Sequence, residues 1–214
     1  MNPEFWHARW QNNEIGFHES QANPMLVKHF KALGLLPGSR VFLPLCGKTL
    51  DIAWLLAAGH PVAGAELSET AIQQLFTELG VEPRISEAGD LRRYEAENIV
   101  IFVGDIFALS AAMLGPVAAV YDRAALVALP DTMRSRYTAH LAQLTRNAPQ
   151  LLITFEYDQN LMQGPPFSIA EHEVRQHYDG KFQLQTLETG GVRGGLRGKV
   201  AASERVWYLR PVIG

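Results

Sequence analysis

The sequence predicts an α/β sandwich built on a mixed sheet, and three observations carry that expectation. Helix-period and strand-like segments alternate from Pro24 onward, the early strands are almost uniformly apolar, and the chain closes on two strand-like runs joined by glycines. Uniformly apolar strands are those that a parallel sheet buries on both faces. At 214 residues and 47% hydrophobic, the chain holds one sizeable core and reads as a single domain, 1–214.

The elements follow in order. Helical periodicity covers Pro24 to Leu33, then come a strand from Arg40 to Leu45, a helix from Leu50 to Ala58, a strand from Pro61 to Leu67 and a helix from Glu69 to Leu79. Ser68 stands where that last helix needs its N-cap. "RISEAGDLRRYEAE" reads as a short hairpin turning at Gly89-Asp90. "NIVIFVGDIF" (Asn98 to Phe107) and "VAAVYDRAAL" (Val117 to Leu126) each run a buried strand into a turn that could carry function. A helix from Asp131 to Arg146, capped by Asp131 after Pro130, precedes a strand from Leu151 to Tyr157 and a helix from Ile169 to His177. "KFQLQTLET" and "SERVWYLRPV" form the closing pair, and the glycine-dense "GGVRGGLRGK" from Gly190 between them is expected to be a mobile loop.

Composition excludes several classes. Net charge is −3, from 19 basic and 22 acidic residues, which supplies no global basic field for nucleic acid. The single cysteine, Cys46, forbids an intramolecular disulfide. "MNPEFWHARW" carries Glu4 and Arg9 where a secretory signal has an apolar run, and the longest apolar stretches are too short for a bilayer. A soluble, cytoplasmic protein is the expectation.

"PLCGKT" after the first strand raises the question of a phosphate loop. That motif needs a second glycine five positions before Gly47, where the backbone must curl inward, and Phe42 stands there inside the strand. A nucleoside triphosphate is therefore rejected. What remains is a strand ending beside a helix N-terminus, where open α/β sheets bind ligands. Glu66 ends the second strand, nineteen positions after Gly47, the spacing at which an acidic residue accepts hydrogen bonds from both ribose hydroxyls. It could instead cap the following helix, but Ser68 is better placed for that. Asp105 and Ile106, in "GDIF", would stand over the same crevice, to accept from an adenine amino group and to pack its ring. Asp122-Arg123 ends the fourth strand, either as a solvated ion pair or with Arg123 turned to the ligand. A nicotinamide dinucleotide needs Gly-x-Gly-x-x-Gly to admit its pyrophosphate, and one glycine stands here. Adenosine without phosphate, as in S-adenosylmethionine, tolerates that turn.

"FHESQANPMLVKHF", "VFLPLCGKTLDIAWLLAAGHPVAGAELSETAIQQLF", "GDIFAL" and "YDRAALVALP" together resemble the thiopurine S-methyltransferase family, its bacterial branch in particular, over nearly the whole chain. The resemblance implies a class I methyltransferase fold, Rossmann-like, in three layers, with a seven-stranded mixed sheet ending in an antiparallel hairpin. It implies a monomer that binds S-adenosylmethionine, leaves S-adenosylhomocysteine, and methylates the sulfur of aromatic and heterocyclic thiols; bacterial relatives are also associated with selenium and tellurium methylation. Carried over by motif, cofactor contacts fall on Trp10 in "HARW", Leu45 and Gly47 in "PLCG", Glu66 in "GAEL", Asp105 and Ile106 in "GDIF", and Arg123 in "YDR". Phe17 in "GFHE" matches an aromatic substrate contact, and Arg197 a second substrate-side arginine beside Arg123. Eukaryotic relatives have serine at Asp105, so the backbone's part carries over there and the side chain's stays open.

The resemblance also assigns the N-terminal aromatics. Trp6, Trp10 and Phe17 recur at a spacing that a core stripe would also give; Trp6 is read as packing, and Trp10 and Phe17 as parts of a cover formed by the segment 1–35. Cys46, with no histidine nearby in sequence, is a packing residue, and "HEVRQ" from His172 lacks the second histidine of a zinc-protease helix, leaving His172 and His177 on a solvated face. Arg123 and Arg197 are expected to hold an anionic acceptor and so to serve catalysis. Two other classes remain: a nucleoside-binding protein without turnover, and a nicotinamide oxidoreductase.

Overall fold

The computed structural model describes residues 3–15 and 19–212. Helices α1 (Pro3–Gln11) and α2 (Pro24–His29) precede strand β1 (Val41–Pro44), helix α3 (Asp51–Ala57), strand β2 (Val62–Glu66) and helix α4 (Glu69–Leu79). A hairpin, β3 (Arg84–Ala88) and β4 (Leu91–Ala96), leads to β5 (Ile99–Val103), α5 (Ala111–Leu114) and β6 (Ala119–Arg123). Helix α6 (Asp131–Leu144), β7 (Gln150–Tyr157), α7 (Glu171–Tyr178), β8 (Phe182–Gly191) and β9 (Ala202–Pro211) complete the chain.

All strands join one sheet in the order β3-β4-β5-β2-β1-β6-β7-β9-β8. The five inner strands β5, β2, β1, β6 and β7 are parallel, and β8 and β9 pair antiparallel at one edge. Among the described residues the sheet has nine strands, not the seven expected. Its extra pair is the hairpin at Gly89-Asp90, which docks antiparallel on β5 through Arg92↔Val103 to Ala96↔Ile99. The physical reason lies in β4: Leu91 and Tyr94 are buried, three positions apart, and their burial covers a β5 edge that would otherwise stand unpaired. Alternate residues of the inner strands feed two cores. Phe42, Val120 and Leu152 meet α6 and α7 on one face, while Leu43, Tyr121 and Ile153 meet α2, α3 and α4 on the other.

Several boundaries differ from expectation for local reasons. The first predicted helix splits into α2 and a 3-10 turn at Phe30–Leu33, which Gly34 ends in the left-handed region at φ 61°. Asp131 is the first residue of α6 rather than its cap, a place taken by Pro130. The glycine-dense segment is folded: Leu196 and Val200 are buried against Tyr157, and a Cβ at Gly195 would lie 2.7 Å from the Val200 carbonyl oxygen. His177 is turned toward Glu173, 3.4 Å away, rather than solvated, while His172 is exposed. Among the described residues no helix is long and apolar enough to cross a membrane.

Candidate functional site

The carboxyl ends of β1, β2 and β6 open onto a cavity of about 500 Å³, roofed by α1 and by the segment after β8. Brackets of backbone in uncommon conformations shape its rim. Leu45 (φ 47°) and Gly47 (φ 53°) turn the chain sharply out of β1, and Ala124 (φ 62°) does the same after β6. A non-glycine residue in that region costs on the order of 1–3 kcal/mol, and such outliers cluster where a binding surface needs them. At Gly47 a side chain is excluded twice, by its φ and by the Trp10 ring, which would lie 2.9 Å from a Cβ. The aromatic of α1 thus seats on the one glycine of the turn.

Glu66 organises the β1–β2 end of the cavity. Its Oε2 accepts the Gly47 N–H at 2.8 Å and its Oε1 accepts the Ser68 N–H at 2.9 Å, so one carboxylate ties the two strand ends together. A carboxylate has about four acceptor positions, so lone pairs remain on both oxygens. Burial pushes its pKa above the ordinary carboxylate value, opposed by those N–H bonds. Ser68 caps α4 by accepting the Ala71 N–H, as its position in the sequence implied. Lys48, the lysine of the partial phosphate motif, is paired 2.6 Å away with Glu78 on α4.

The β6 end carries charge of both signs. Asp122 is fully buried, accepts the Leu126 N–H and the Tyr137 hydroxyl, and is pushed by burial to a pKa of about 6. It does not pair with Arg123. Alternation points Arg123 to the opposite face, where its guanidinium meets Glu19 at 2.5 Å and is only 13% exposed. Glu19 also accepts from the Asn23 side chain, and the Asn23 N–H donates at 2.6 Å to Asp51, whose second oxygen accepts the Tyr121 hydroxyl. Arg197 lines the same cavity from the loop after β8 and donates at 2.5 Å to the Pro165 carbonyl.

Of the residues expected at a site, Trp10, Leu45, Gly47, Glu66, Arg123 and Arg197 line this cavity together. Asp105 and Ile106 do not line it. Asp105 is exposed and accepts the Phe107 N–H, while Ile106 is buried under it with its carbonyl accepting from His140. Their turn still abuts Glu66, because the Gly104 N–H donates to the Glu66 carbonyl at 2.9 Å. Phe17 lies outside the described residues. Trp6, expected only to pack, borders the cavity as well. Sequence reasoning missed Glu19 and Glu204. Glu204 stands in phase with the fully buried Val206 on β9, and a charge continuing an inward-facing row is the signal that could have found it.

A SAM-dependent methyltransferase from Anabaena variabilis superposes with a TM-score of 0.65 at 14% identity, covering 97% of this chain and 95% of that one. The 1,6-didemethyltoxoflavin-N1-methyltransferase of Burkholderia thailandensis, solved with bound S-adenosylhomocysteine, gives 0.64 at 15% identity over 97% of this chain and 87% of its own. These likenesses establish the class I methyltransferase fold. In sequence, the Thiopurine S-methyltransferase of Xanthobacter autotrophicus is 57% identical over 210 residues, 98% of this chain and 99% of that protein. The family model described as Thiopurine S-methyltransferase (TPMT) matches residues 1–210, so the chain belongs to the thiopurine S-methyltransferase family.

Proposed function

We propose that the protein transfers a methyl group from S-adenosylmethionine to the sulfur of aromatic and heterocyclic thiols, thiopurines among them. The observation that carries this is one cavity with two unlike ends, a ribose-type carboxylate at Glu66 and a guanidinium at Arg123. The residues at the first end fit S-adenosylmethionine. Glu66 keeps lone pairs for ribose hydroxyls, the Leu45–Gly47 turn presents backbone rather than bulk, and Trp10 offers an aromatic face beside it. The Asp105-Ile106 turn, held against Glu66, would border the adenine through its backbone. When bound, S-adenosylmethionine supplies a methyl group on a cationic sulfonium.

The chain's own residues then have three tasks. Glu66 and the turn fix the donor, Arg123 and Arg197 hold and orient the acceptor, and α1 with the rest of segment 1–35 keeps water out, Phe17 included. Arg123 sits on the acceptor side because its charge opposes a cationic donor. The same arrangement disfavours a nicotinamide dinucleotide: the turn has a single glycine, and the Trp10 ring closes over it, 2.9 Å from where a Cβ would stand. We read the acting unit as a monomer in the cytoplasm, with small-molecule partners only.

Incubation with isotopically labelled S-adenosylmethionine, thiophenol, 6-mercaptopurine and selenite tests the activity. Label is expected on the sulfur of both thiols, and selenite tests whether metalloid oxyanions are a second acceptor class. Binding of S-adenosylhomocysteine with no transfer to any acceptor would mark a nucleoside-binding protein instead. A separate control distinguishes Glu66 from its neighbour: Ser68→Ala should lower stability by about 1 kcal/mol through the lost cap of α4, with S-adenosylhomocysteine affinity unchanged. A matching loss of affinity would move the ribose role toward the helix terminus.

A further inference from the structure

We propose that Glu204 is the base that takes the acceptor's thiol proton, an inference that rests on the thiol methylation proposed above. Glu204 lies on β9, paired with Phe155 of β7 on one side and Gly190 of β8 on the other, so a ring and an absent side chain flank it. It lines the cavity near Arg123. Among the described residues, the lining contains carboxylates at Glu19, Glu66 and Glu204 and no histidine. Glu66 is committed to two backbone N–H groups and Glu19 to Arg123 and Asn23. Among the described residues the Glu204 side chain makes no hydrogen bond or ion pair, which leaves its carboxylate oxygens available. The other proton-accepting groups of the lining are spent or unsuitable: Lys48 is paired with Glu78, and burial raises the Cys46 thiol far above its ordinary pKa.

Charge decides how the acceptor arrives. The charges that act on Glu204 are Arg123, Glu19 and Glu188, and Arg123 is already paired with Glu19, so a thiolate placed against Glu204 would set two anions together even with Arg193 and Arg197 at the loop side of the cavity. Bringing in the neutral thiol and passing its proton to Glu204 adds no charge. The S–H bond breaks as an O–H bond forms on Glu204, the sulfur pair takes the methyl carbon, and the sulfonium bond breaks with its electrons returning to the donor sulfur. The proton then leaves Glu204 for water. Desolvation is the main influence on the Glu204 carboxyl and raises its pKa, which strengthens it as a base; Arg123 opposes this, while Glu19 and Glu188 add to it. Lys28 and His29 face it only through Glu188, and Arg193 and Arg197 line the cavity from the loop side. Phe155 and Gly190, its strand partners, bring no charge.

Glu204→Gln keeps the shape and removes the base. With thiophenol, kcat is expected to fall about tenfold below the thiol's own pKa and to recover above it, because thiol ionised in solution supplies a background. Independently of turnover, ultraviolet absorbance of thiophenol bound with S-adenosylhomocysteine, read below the thiol's own pKa, should report thiolate in the wild type and thiol in Glu204→Gln. Glu204→Asp should restore part of both. A loss equal at all pH values with an unchanged thiolate fraction overturns the proposal, and so does neutral thiol bound to the wild type, a measurement that needs no variant to fold. Failure of the wild type to methylate any thiol would instead overturn the activity on which it rests.

Discussion

Glu66→Ala is expected to weaken S-adenosylhomocysteine binding by about a hundredfold and to destabilise the protein as well. The two effects have separate sources. Charge-assisted hydrogen bonds to the ribose contribute about 1.5–3 kcal/mol, and about 3 kcal/mol corresponds to the hundredfold loss. The stability loss comes from the Gly47 and Ser68 N–H groups, buried donors that would lose their acceptor at about 1–3 kcal/mol each. Glu66→Gln keeps an acceptor for one of them and should fold better while still binding weakly. Because burial raises the Glu66 pKa, wild-type affinity should decline on acidification at a higher pH than an ordinary carboxylate would dictate, as protonation removes the acceptor. Calorimetry on variants verified as folded measures both. Unchanged affinity in Glu66→Ala would remove the ribose assignment.

Arg123→Met should lower kcat/KM for thiol acceptors by about tenfold or more while changing donor affinity much less. A charge-assisted contact of about 1.5–3 kcal/mol to the acceptor sets that magnitude. The structure adds a control, because removing the guanidinium also leaves Glu19 without its ion-pair partner. Glu19→Gln in the Arg123→Met background removes that stray charge. If Arg123 acts on the acceptor, the double variant stays slow; if the single variant merely exposes a misplaced carboxylate, the double variant recovers. Arg123→Lys keeps the charge and loses the planar fork, separating geometry from field. The defect should shrink at high pH, where the thiol ionises unaided. Steady-state kinetics with calorimetric donor titrations decide the matter: loss of donor affinity with acceptor kinetics intact would assign Arg123 to the cofactor alone.

Much of this was written in local sequence. The inner strands were legible because burial on both faces leaves an uninterrupted apolar run, and Glu66 was legible as the acidic end of the second strand, where its carboxylate accepts the Gly47 N–H. Ser68 was legible as a cap from a single position. The hairpin was visible but its docking was not: Arg84 to Ala88 are mostly exposed, and nothing local says that β4 will cover β5. The partner of Arg123 was equally hidden. Sequence offered the adjacent Asp122, whereas a strand sends neighbours to opposite faces, and Glu19 comes from more than a hundred residues away. Glu204 went unnoticed because its partner is absent rather than present.

The bonds running from Arg123 through Glu19 and Asn23 to Asp51, in the first turn of α3 below the glycine turn, give the two ends of the cavity a common mechanical frame. With donor and acceptor at the two ends as proposed above, such a frame would make their affinities interdependent, and thermodynamics requires the debt to run both ways. Whatever factor a bound donor multiplies into acceptor affinity, a bound acceptor must return to the donor. The enzyme's preference for one sequence of loading over the other is then a property of rates alone, and an acceptor that drags Arg123 away from Glu19 will register as a change in how tightly S-adenosylhomocysteine is held.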